Sequence, residues 1–185
     1  MNPLAARKLL ADSEILFSAE LVNAATTRVA TEINRDFADM NPLVLSVMGG
    51  AVVFTGQLLP QLDFPLDFDI VQASRYGDKT VGAQLTWRVA PRDNIVGRHV
   101  IILDDILDEG ITLAAIVDLV KRTGAISVAC AVFCVKDYGE EINNKKPLKA
   151  EYVGISVPNR FIYGYGMDVS GAWRNLPAIY ALKEK

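Results

Sequence analysis

Three apolar runs of strand length constrain this chain more than any other feature of its sequence. They are LVLSVM (43–48), HVIIL (99–103) and SVACAVFCV (127–135), and none shows the alternation of a strand with one solvent-facing side. Helical segments separate them, including AVVFTGQLLPQL (51–62) and TLAAIVDLVKRTG (112–124). Apolar strands joined by helices are typical of a parallel sheet that is covered on both faces. We therefore predict an α/β fold.

Weaker patterns complete the expected secondary structure. Apolar residues recur at every third or fourth position across 13–38, which predicts a helix with Ser13 as its N-cap. Segments 66–73 and 151–157 are each expected to form a further strand, and 83–90 is expected to form an edge strand. The length of 185 residues suits a single domain.

Composition excludes several classes of protein. A net charge of -3 and a pI of about 5.2 argue against a nucleic-acid partner bound by phosphate neutralisation. One histidine and two cysteines leave little room for a histidine-rich metal site or a disulfide framework. No signal-peptide pattern is visible, and no stretch approaches the ~18 apolar residues of a membrane span. We expect a cytoplasmic protein without a membrane partner.

The segments that follow the three apolar strands are the places to look for a ligand site. Ligands of open parallel sheets bind beyond the carboxyl ends of the strands. Gly49-Gly50 follows the first run, DDILDEGIT (104–112) the second, and Lys136-Asp137 the third. We expect these three tips to lie together along one edge of the sheet.

The acidic tip, residues 104–112, carries the strongest chemical signal. Asp104, Asp105, Asp108 and Glu109 place four carboxylates within six residues. Two such charges ~5 Å apart repel by about 3 kcal/mol at an effective dielectric near 20, so the cluster calls for solvent, a shared proton or a cation. Hard oxygen ligands without neighbouring cysteine or histidine favour Mg²⁺, which takes one or two carboxylates plus substrate oxygens.

The second half of the same tip suits an anion. Gly110, Ile111 and Thr112 open directly onto a helix, whose N-terminal N–H groups and dipole attract phosphate, and Thr112 adds a hydroxyl. The combination fits a ribose 5-phosphate that bears a diphosphate. The alternative is a solvated acidic loop, which the buried strand before it and the Gly-Thr helix start after it argue against. No GxxxxGK[ST] motif is present, and Gly164-Tyr165-Gly166 lacks the third glycine of a dinucleotide fingerprint.

At these residues the sequence resembles the type I phosphoribosyltransferases. IILDDILDEGITL (101–113) is similar to the 13-residue signature with which that family binds phosphoribosyl pyrophosphate. Four further segments resemble the bacterial branch that acts on hypoxanthine and guanine. They are VMGGAVVFTGQLL (47–59), SRYG (74–77), VKD (135–137) and NRFIYGYGMDVSGAWRNLP (159–177).

The resemblance implies an architecture and a reaction. It implies a single domain over 1–185, with a Rossmann-like parallel-sheet core at approximately 38–137 and a small hood from 1–37 and 138–185. The reaction is Mg²⁺-dependent transfer of the 5-phosphoribosyl group from phosphoribosyl pyrophosphate to N9 of hypoxanthine or guanine, giving IMP or GMP and pyrophosphate. The resemblance also implies a homo-oligomer, either a dimer or a tetramer.

Roles for the acidic tip and its neighbours follow from the resemblance. Asp104 and Asp105 match the pair at the ribose hydroxyls near the first Mg²⁺, and Asp108 matches the general base near purine N7. The 5′-phosphate cradle of the family is matched by Asp108, Glu109, Gly110, Ile111 and Thr112. The diphosphate loop is matched by Met48-Gly49. A mobile lid at 74–82 includes Ser74, Arg75 and Tyr76.

The base-binding roles lie further along the chain. Lys136 matches the lysine that recognises the 6-oxo group, and Phe161 matches the aromatic residue that stacks on the base. Ile162 matches the residue whose backbone meets the 2-position. Asp168 matches a ligand of the second Mg²⁺, and Arg174 matches the arginine that meets pyrophosphate.

Four positions depart from the commonest family pattern. Met48 stands where many relatives have lysine, Glu109 and Ile111 replace small or polar residues, and Arg75 replaces a serine. These changes affect contacts with phosphoribosyl pyrophosphate and remove no catalytic group. Two alternatives stay open: an enzyme that prefers xanthine or guanine, and a nucleotide-responsive regulator with the same fold.

Overall fold

The core of the protein is a six-stranded sheet with strand order β4-β3-β2-β5-β6-β7. The computed structural model describes residues 1–75 and 85–183. Every pairing in this sheet is parallel except that of the edge strand β4, which runs antiparallel to β3. The strands are β2 (Leu43–Val47), β3 (Asp67–Arg75), β4 (Leu85–Val89), β5 (His99–Leu107), β6 (Ser127–Asp137) and β7 (Tyr152–Pro158). The predicted α/β fold with a mostly parallel central sheet is confirmed.

Helices cover both faces of this sheet, as the unalternating strands predict. Buried side chains of α2 (Ala19–Phe37) and α3 (Val52–Leu58) form one apolar cluster with strand residues such as Ile101. Those of α4 (Ile111–Arg122) form a second cluster with residues such as Ile102. Successive residues in the middle of β5 thus point into opposite apolar layers, which explains the unbroken apolar run from Val100 to Leu103.

A second, smaller sheet lies outside the core and has strand order β1-β9-β8. It joins β1 (Ser13–Phe17) from the N-terminal region to β8 (Ile162–Tyr163) and β9 (Ile179–Leu182) from the C-terminal region, with antiparallel pairing throughout. The expected division into core and hood stays a prediction, but β7 lies beyond residue 137 and still belongs to the core sheet. Two short helices, α1 (Pro3–Ala11) and α5 (Glu140–Asn143), complete the described elements, with 3-10 turns at Leu59–Gln61 and Asp93–Ile95.

The predicted helix over 13–38 begins later than expected. Its first five residues form β1, and the helix α2 starts at Ala19. The N-cap is Ser18, whose hydroxyl accepts a hydrogen bond from the backbone N–H of Leu21 at 3.4 Å, so the assignment of that cap to Ser13 is wrong. Ser13 instead accepts a hydrogen bond from the hydroxyl of Tyr163 at 2.6 Å, which ties β1 to β8.

Two core strands run further than their apolar runs suggest. The strand β5 does not end at Leu103 but continues through the acidic pair, with Asp104 opposite Val132 and Ile106 opposite Cys134 of β6. The backbone of Asp104 and Asp105 is therefore part of the sheet rather than of a loop.

Both cysteines, Cys130 and Cys134, are unpaired and buried. Across the described residues, no helix is both long and apolar enough to cross a membrane.

Gly154 of β7 tests how tightly the core sheet is packed. A Cβ atom at this position would lie 2.4 Å from the carbonyl oxygen of Phe133 and 2.9 Å from its ring. We expect Gly154→Ala to lower the free energy of unfolding by about 1–3 kcal/mol, as overpacked cores do. Gly56→Ala is the matched control, because nothing lies within 4 Å of its added Cβ on helix α3, and it should raise stability by up to about 1 kcal/mol. Urea unfolding of both variants checks this, and equal stabilities would contradict it.

Candidate active site

The three predicted strand tips meet at one edge of the sheet, because β2, β5 and β6 are parallel neighbours. Gly50 lies directly against the acidic pair, since a Cβ built on it would be 1.7 Å from Oδ2 of Asp105. Across the next gap, Nζ of Lys136 lies 3.3 Å from Oδ2 of Asp108. The expected convergence of the tips is confirmed by these contacts.

The pKa values of Asp104 and Asp105 are both raised. Burial, and next the charge of Asp105, raise the pKa of Asp104 well above its usual value. Burial also raises the pKa of Asp105, and hydrogen bonds from Asp104 and from backbone N–H groups, followed by the charge of Arg174, offset part of that rise. Asp104 accepts a hydrogen bond from the N–H of Asp105 at 3.0 Å, and Asp105 accepts one from the N–H of Ile106 at 2.9 Å. An added cation would relieve both carboxylates.

The predicted phosphate cradle is a concave surface at the start of α4. Its lining runs continuously from Ile106 to Leu113 and includes Asp104. Gly110 caps the helix with a φ of +81°, a conformation that suits glycine because it has no Cβ. The first N–H groups of an α-helix have no partner within the helix, and together with the helix dipole they favour an anion. The concavity at the start of α4 includes every residue from Asp108 to Thr112, and its role as a phosphate cradle stays a prediction.

Asp108 is held by two donors at the rim of the cradle. Lys136 contacts one carboxylate oxygen, and the hydroxyl of Tyr138 donates to the other. Lys136 is largely buried, with 13% of its side chain exposed, whereas Asp108 is 46% exposed. The largely buried Lys136 and the accessible carboxylate of Asp108 therefore lie side by side, where both can contact the same polar edge of a ligand.

The C-terminal segment brings a cation to the same edge. Arg174 forms an ion pair with Asp168 at 2.5 Å and donates to the carbonyl oxygen of Gly166 at 2.6 Å. Gly166 packs backbone against backbone, because a Cβ on it would lie 2.0 Å from the carbonyl oxygen of Gly50. The Gly164-Tyr165-Gly166 segment thus places Arg174 beside the acidic pair and is not part of a dinucleotide site.

Phe161 and Ile162 differ sharply in exposure although they are adjacent. Phe161 is 58% exposed, while Ile162 is buried in β8, where it pairs with Ala181 of β9. An exposed aromatic residue is available for stacking on a flat ligand. The roles that the resemblance implies for Phe161 and Ile162 stay predictions.

The remaining predicted site residues follow β2 or belong to the end of β3 and the segment after it. Met48 and Gly49 lie at the end of β2 and are joined by a cis peptide bond. Ser74 and Arg75 end β3, which places their backbone in the core sheet. Tyr76 and most of the predicted lid over 74–82 lie outside the described residues.

Sequence reasoning missed two residues around Asp108. Tyr138 donates to Asp108, and Nζ of Lys146 donates to the carbonyl oxygen of Lys136 at 2.5 Å. Tyr138 follows Lys136 by two positions and lies just beyond the end of β6 at Asp137. Its closeness to Lys136 in the sequence could have indicated Tyr138, whereas Lys146 becomes visible only through the fold.

The oxygen atoms at this edge fit a magnesium ion that the substrate helps to bind. No group of three or more metal-ligating side chains is already assembled in residues 1–75 and 85–183, so the predicted trio of Asp104, Asp105 and Asp168 is not a preformed cage. Mg²⁺ commonly takes one or two carboxylates and completes its shell with water and substrate phosphates. Asp104 and Asp105 can supply those carboxylates.

Comparisons with known proteins agree with the geometry. The family model for the phosphoribosyl transferase domain matches residues 12–170. A hypoxanthine-guanine phosphoribosyltransferase of Streptococcus thermophilus is 36% identical over 93% of this chain and 94% of its own length. A hypoxanthine-guanine-xanthine phosphoribosyltransferase of Tritrichomonas foetus is 34% identical over 92% of this chain and 91% of that protein. Among solved structures, a hypoxanthine-guanine phosphoribosyltransferase of Bacillus anthracis superposes with a TM-score of 0.80 at 29% identity, covering 92% of this chain and 98% of that one.

Fold and site together define a nucleotide-handling α/β enzyme with a phosphate cradle next to a carboxylate pair. The chain belongs to the phosphoribosyltransferase family, within the group of hypoxanthine-guanine phosphoribosyltransferases. Phosphoribosyl transfer in purine salvage is the activity of that group.

Proposed function

We propose that the protein transfers the 5-phosphoribosyl group of phosphoribosyl pyrophosphate to N9 of hypoxanthine or guanine, giving IMP or GMP and pyrophosphate. The observation that carries this is the pair formed by Lys136 and Asp108 at 3.3 Å, at the rim of the phosphate cradle. An ammonium donor beside a carboxylate acceptor complements a 6-oxopurine, whose O6 accepts and whose imidazole edge carries a proton.

The phosphoribosyl end of the substrate would occupy the cradle. The N–H groups at the start of α4, with the hydroxyl of Thr112, bind the 5′-phosphate. Asp104 and Asp105 accept hydrogen bonds from the ribose hydroxyls, and with Asp168 they would hold Mg²⁺. When bound, the metal would supply positive charge to offset that of the pyrophosphate leaving group. Arg174 supplies a further cation at the same edge, once it exchanges part of its contact with Asp168 for pyrophosphate oxygens.

The base would lie between Phe161 and the Lys136–Asp108 pair. Phe161 stacks on the purine ring, and the backbone of Ile162 faces the 2-position. Lys136 donates to O6, while Asp108 takes up the proton of the imidazole edge as N9 bonds to C1 of the ribose. Closure over such a site would exclude water, which competes with the base for the sugar.

A base-competition assay is the test of this proposal. We expect the protein to use hypoxanthine and guanine, and to use adenine with kcat/KM at least about 100-fold lower, because a 6-amino group offers a donor where Lys136 needs an acceptor. Product formation at saturating phosphoribosyl pyrophosphate and Mg²⁺ measures it. Absence of product from hypoxanthine, guanine and xanthine would overturn the proposal, and efficient use of adenine would overturn the role of Lys136.

Xanthine is the second candidate substrate, since the Tritrichomonas relative carries xanthine in its name. The backbone of Ile162 discriminates poorly between 2-substituents, so the same assay decides between the two. A nucleotide-responsive regulator of the same fold is the other alternative, and tight, salt-sensitive binding of purine-gene RNA would favour it. Assembly into a dimer or tetramer and a cytoplasmic location stay predictions.

A further inference from the structure

Tyr138 lies at this edge of the sheet and has no role in the proposed chemistry. Its hydroxyl donates a hydrogen bond to Oδ1 of Asp108, while Lys136 contacts Oδ2. Burial and the bond to Asp108 raise the pKa of Tyr138 to about 12. The phenol therefore keeps its proton, and remains a donor, throughout the neutral range.

The segment after β6 is built to hold the Tyr138 ring in place. The N–H of Tyr138 donates to the side chain of Asn143 at 3.1 Å, and Asn143 in turn donates to Asp137 at 2.6 Å. Nζ of Lys146 lies 5.3 Å from the centre of the Tyr138 ring, and Nζ of Lys136 lies 5.9 Å from it. A ring fixed by its backbone and by two neighbouring cations can aim its hydroxyl with little loss of entropy.

We propose that Tyr138 is a positioning residue that fixes the carboxylate of Asp108 in the orientation in which it accepts the proton of the purine. This role rests on the proposed function and adds to it a residue that acts through Asp108 rather than on the substrate.

The Tyr138 bond does not use up the acceptor capacity of Asp108. An ionised carboxylate has about four lone-pair sites, and Tyr138 and Lys136 occupy one on each oxygen. Each oxygen keeps a second site, so a bound base can engage Asp108 while Tyr138 still holds it. The other charged groups around this pair are Glu109, Asp137 and Lys146.

Tyr138→Phe tests the role, because it removes the hydroxyl and keeps the ring between its two lysines. With hypoxanthine we expect kcat to fall about tenfold, while KM for phosphoribosyl pyrophosphate stays within twofold, since the cradle is untouched. In an Asp108→Ala background the same change should have no further effect on kcat. A purely structural role would lower activity in both backgrounds alike.

Tyr152→Phe is the matched control. Tyr152 also donates to an aspartate, Asp36, at 2.9 Å, but it begins β7, at the opposite end of the parallel strands from the site, so kcat should not change. A kcat of Tyr138→Phe within twofold of the parent, or a tenfold loss that persists without Asp108, would overturn the inference. If the parent protein shows no turnover at all, the proposed function itself fails.

A second measurement needs no Tyr138 variant. In Asp108→Ala one tyrosine should ionise at a lower pH than in the parent, because the bond and the negative charge that raise the pKa of Tyr138 are gone. Absorbance at 295 nm follows this ionisation. Identical titration curves for the two proteins would show that the bond is not made in solution and would overturn the inference.

Discussion

Replacing Asp108 with asparagine is expected to lower kcat by about 10²–10⁴-fold, the usual contribution of a positioned acid or base. Asparagine has nearly the same shape and keeps one oxygen to accept from Lys136 or Tyr138, but it cannot take up the proton of the purine. The phosphate cradle should be unaffected, because its donors are backbone N–H groups and the hydroxyl of Thr112, not the side chain of Asp108. Steady-state kinetics should therefore show the loss in kcat, with KM for phosphoribosyl pyrophosphate little changed.

Asp118→Asn is the control for this substitution. Asp118 is an exposed aspartate on α4 that pairs with Arg122 one turn later, at 3.0 Å, and surface pairs of this kind contribute little. Its kcat should match that of the parent. Retention of more than about a tenth of the parent kcat in Asp108→Asn would contradict the general-base role, while leaving the cradle and the fold unaffected.

The core sheet was predictable because burial on both faces leaves a mark on every residue of a strand. Leu43–Val47 is buried at all five positions, and every residue except Ser46 is apolar. The same rule fails at the ends of β5 and β6, because those ends are polar. Asp104 and Asp105 continue β5, but their backbone pairs with β6 while their side chains face the site, so hydropathy ends the strand too early.

The N-terminal error has a different cause. Residues 13–17 continue the apolar spacing of α2, so local periodicity cannot separate them from the helix. They become a strand because β9 lies beside them, and Ser13 pairs with Leu182, a residue near the other end of the chain. Pairing between residues so distant in sequence leaves no local pattern to detect.

The site shows the same division between local and distant information. Asp104 to Thr112 lie in one continuous segment, so their grouping around a phosphate could be inferred from spacing alone. Gly50 against Asp105, Gly166 against Gly50, and Lys146 behind Lys136 are close approaches between separate segments. The sequence shows that glycines are present at these positions, but it does not show which neighbouring residue leaves no room for a side chain.

Removing divalent metal is expected to have the largest effect of all, with turnover falling below detection. The departing pyrophosphate carries several negative charges, while the acidic pair beside it adds more and Arg174 is the cation that the described chain brings to that point. Without a metal these charges repel, and stabilisation of the leaving group is the main demand of the transition state. Dialysis against EDTA followed by titration with MgCl₂ measures this, and undiminished activity in EDTA would contradict it.

Asp105→Asn separates the metal from the rest of the site. We expect about a tenfold higher Mg²⁺ concentration for half-maximal activity, because the variant loses one of the two carboxylates that would bind the metal. The same change should raise the melting temperature of the metal-free protein by a few degrees, of the order of 1 kcal/mol, since it removes repulsion from Asp104 in a buried setting. Asparagine keeps the oxygen that accepts from the N–H of Ile106, so the strand end is preserved. A variant that needs more Mg²⁺ and is also more stable would show that Asp105 serves the reaction and destabilises the fold. A lower melting temperature of the metal-free variant would contradict this prediction.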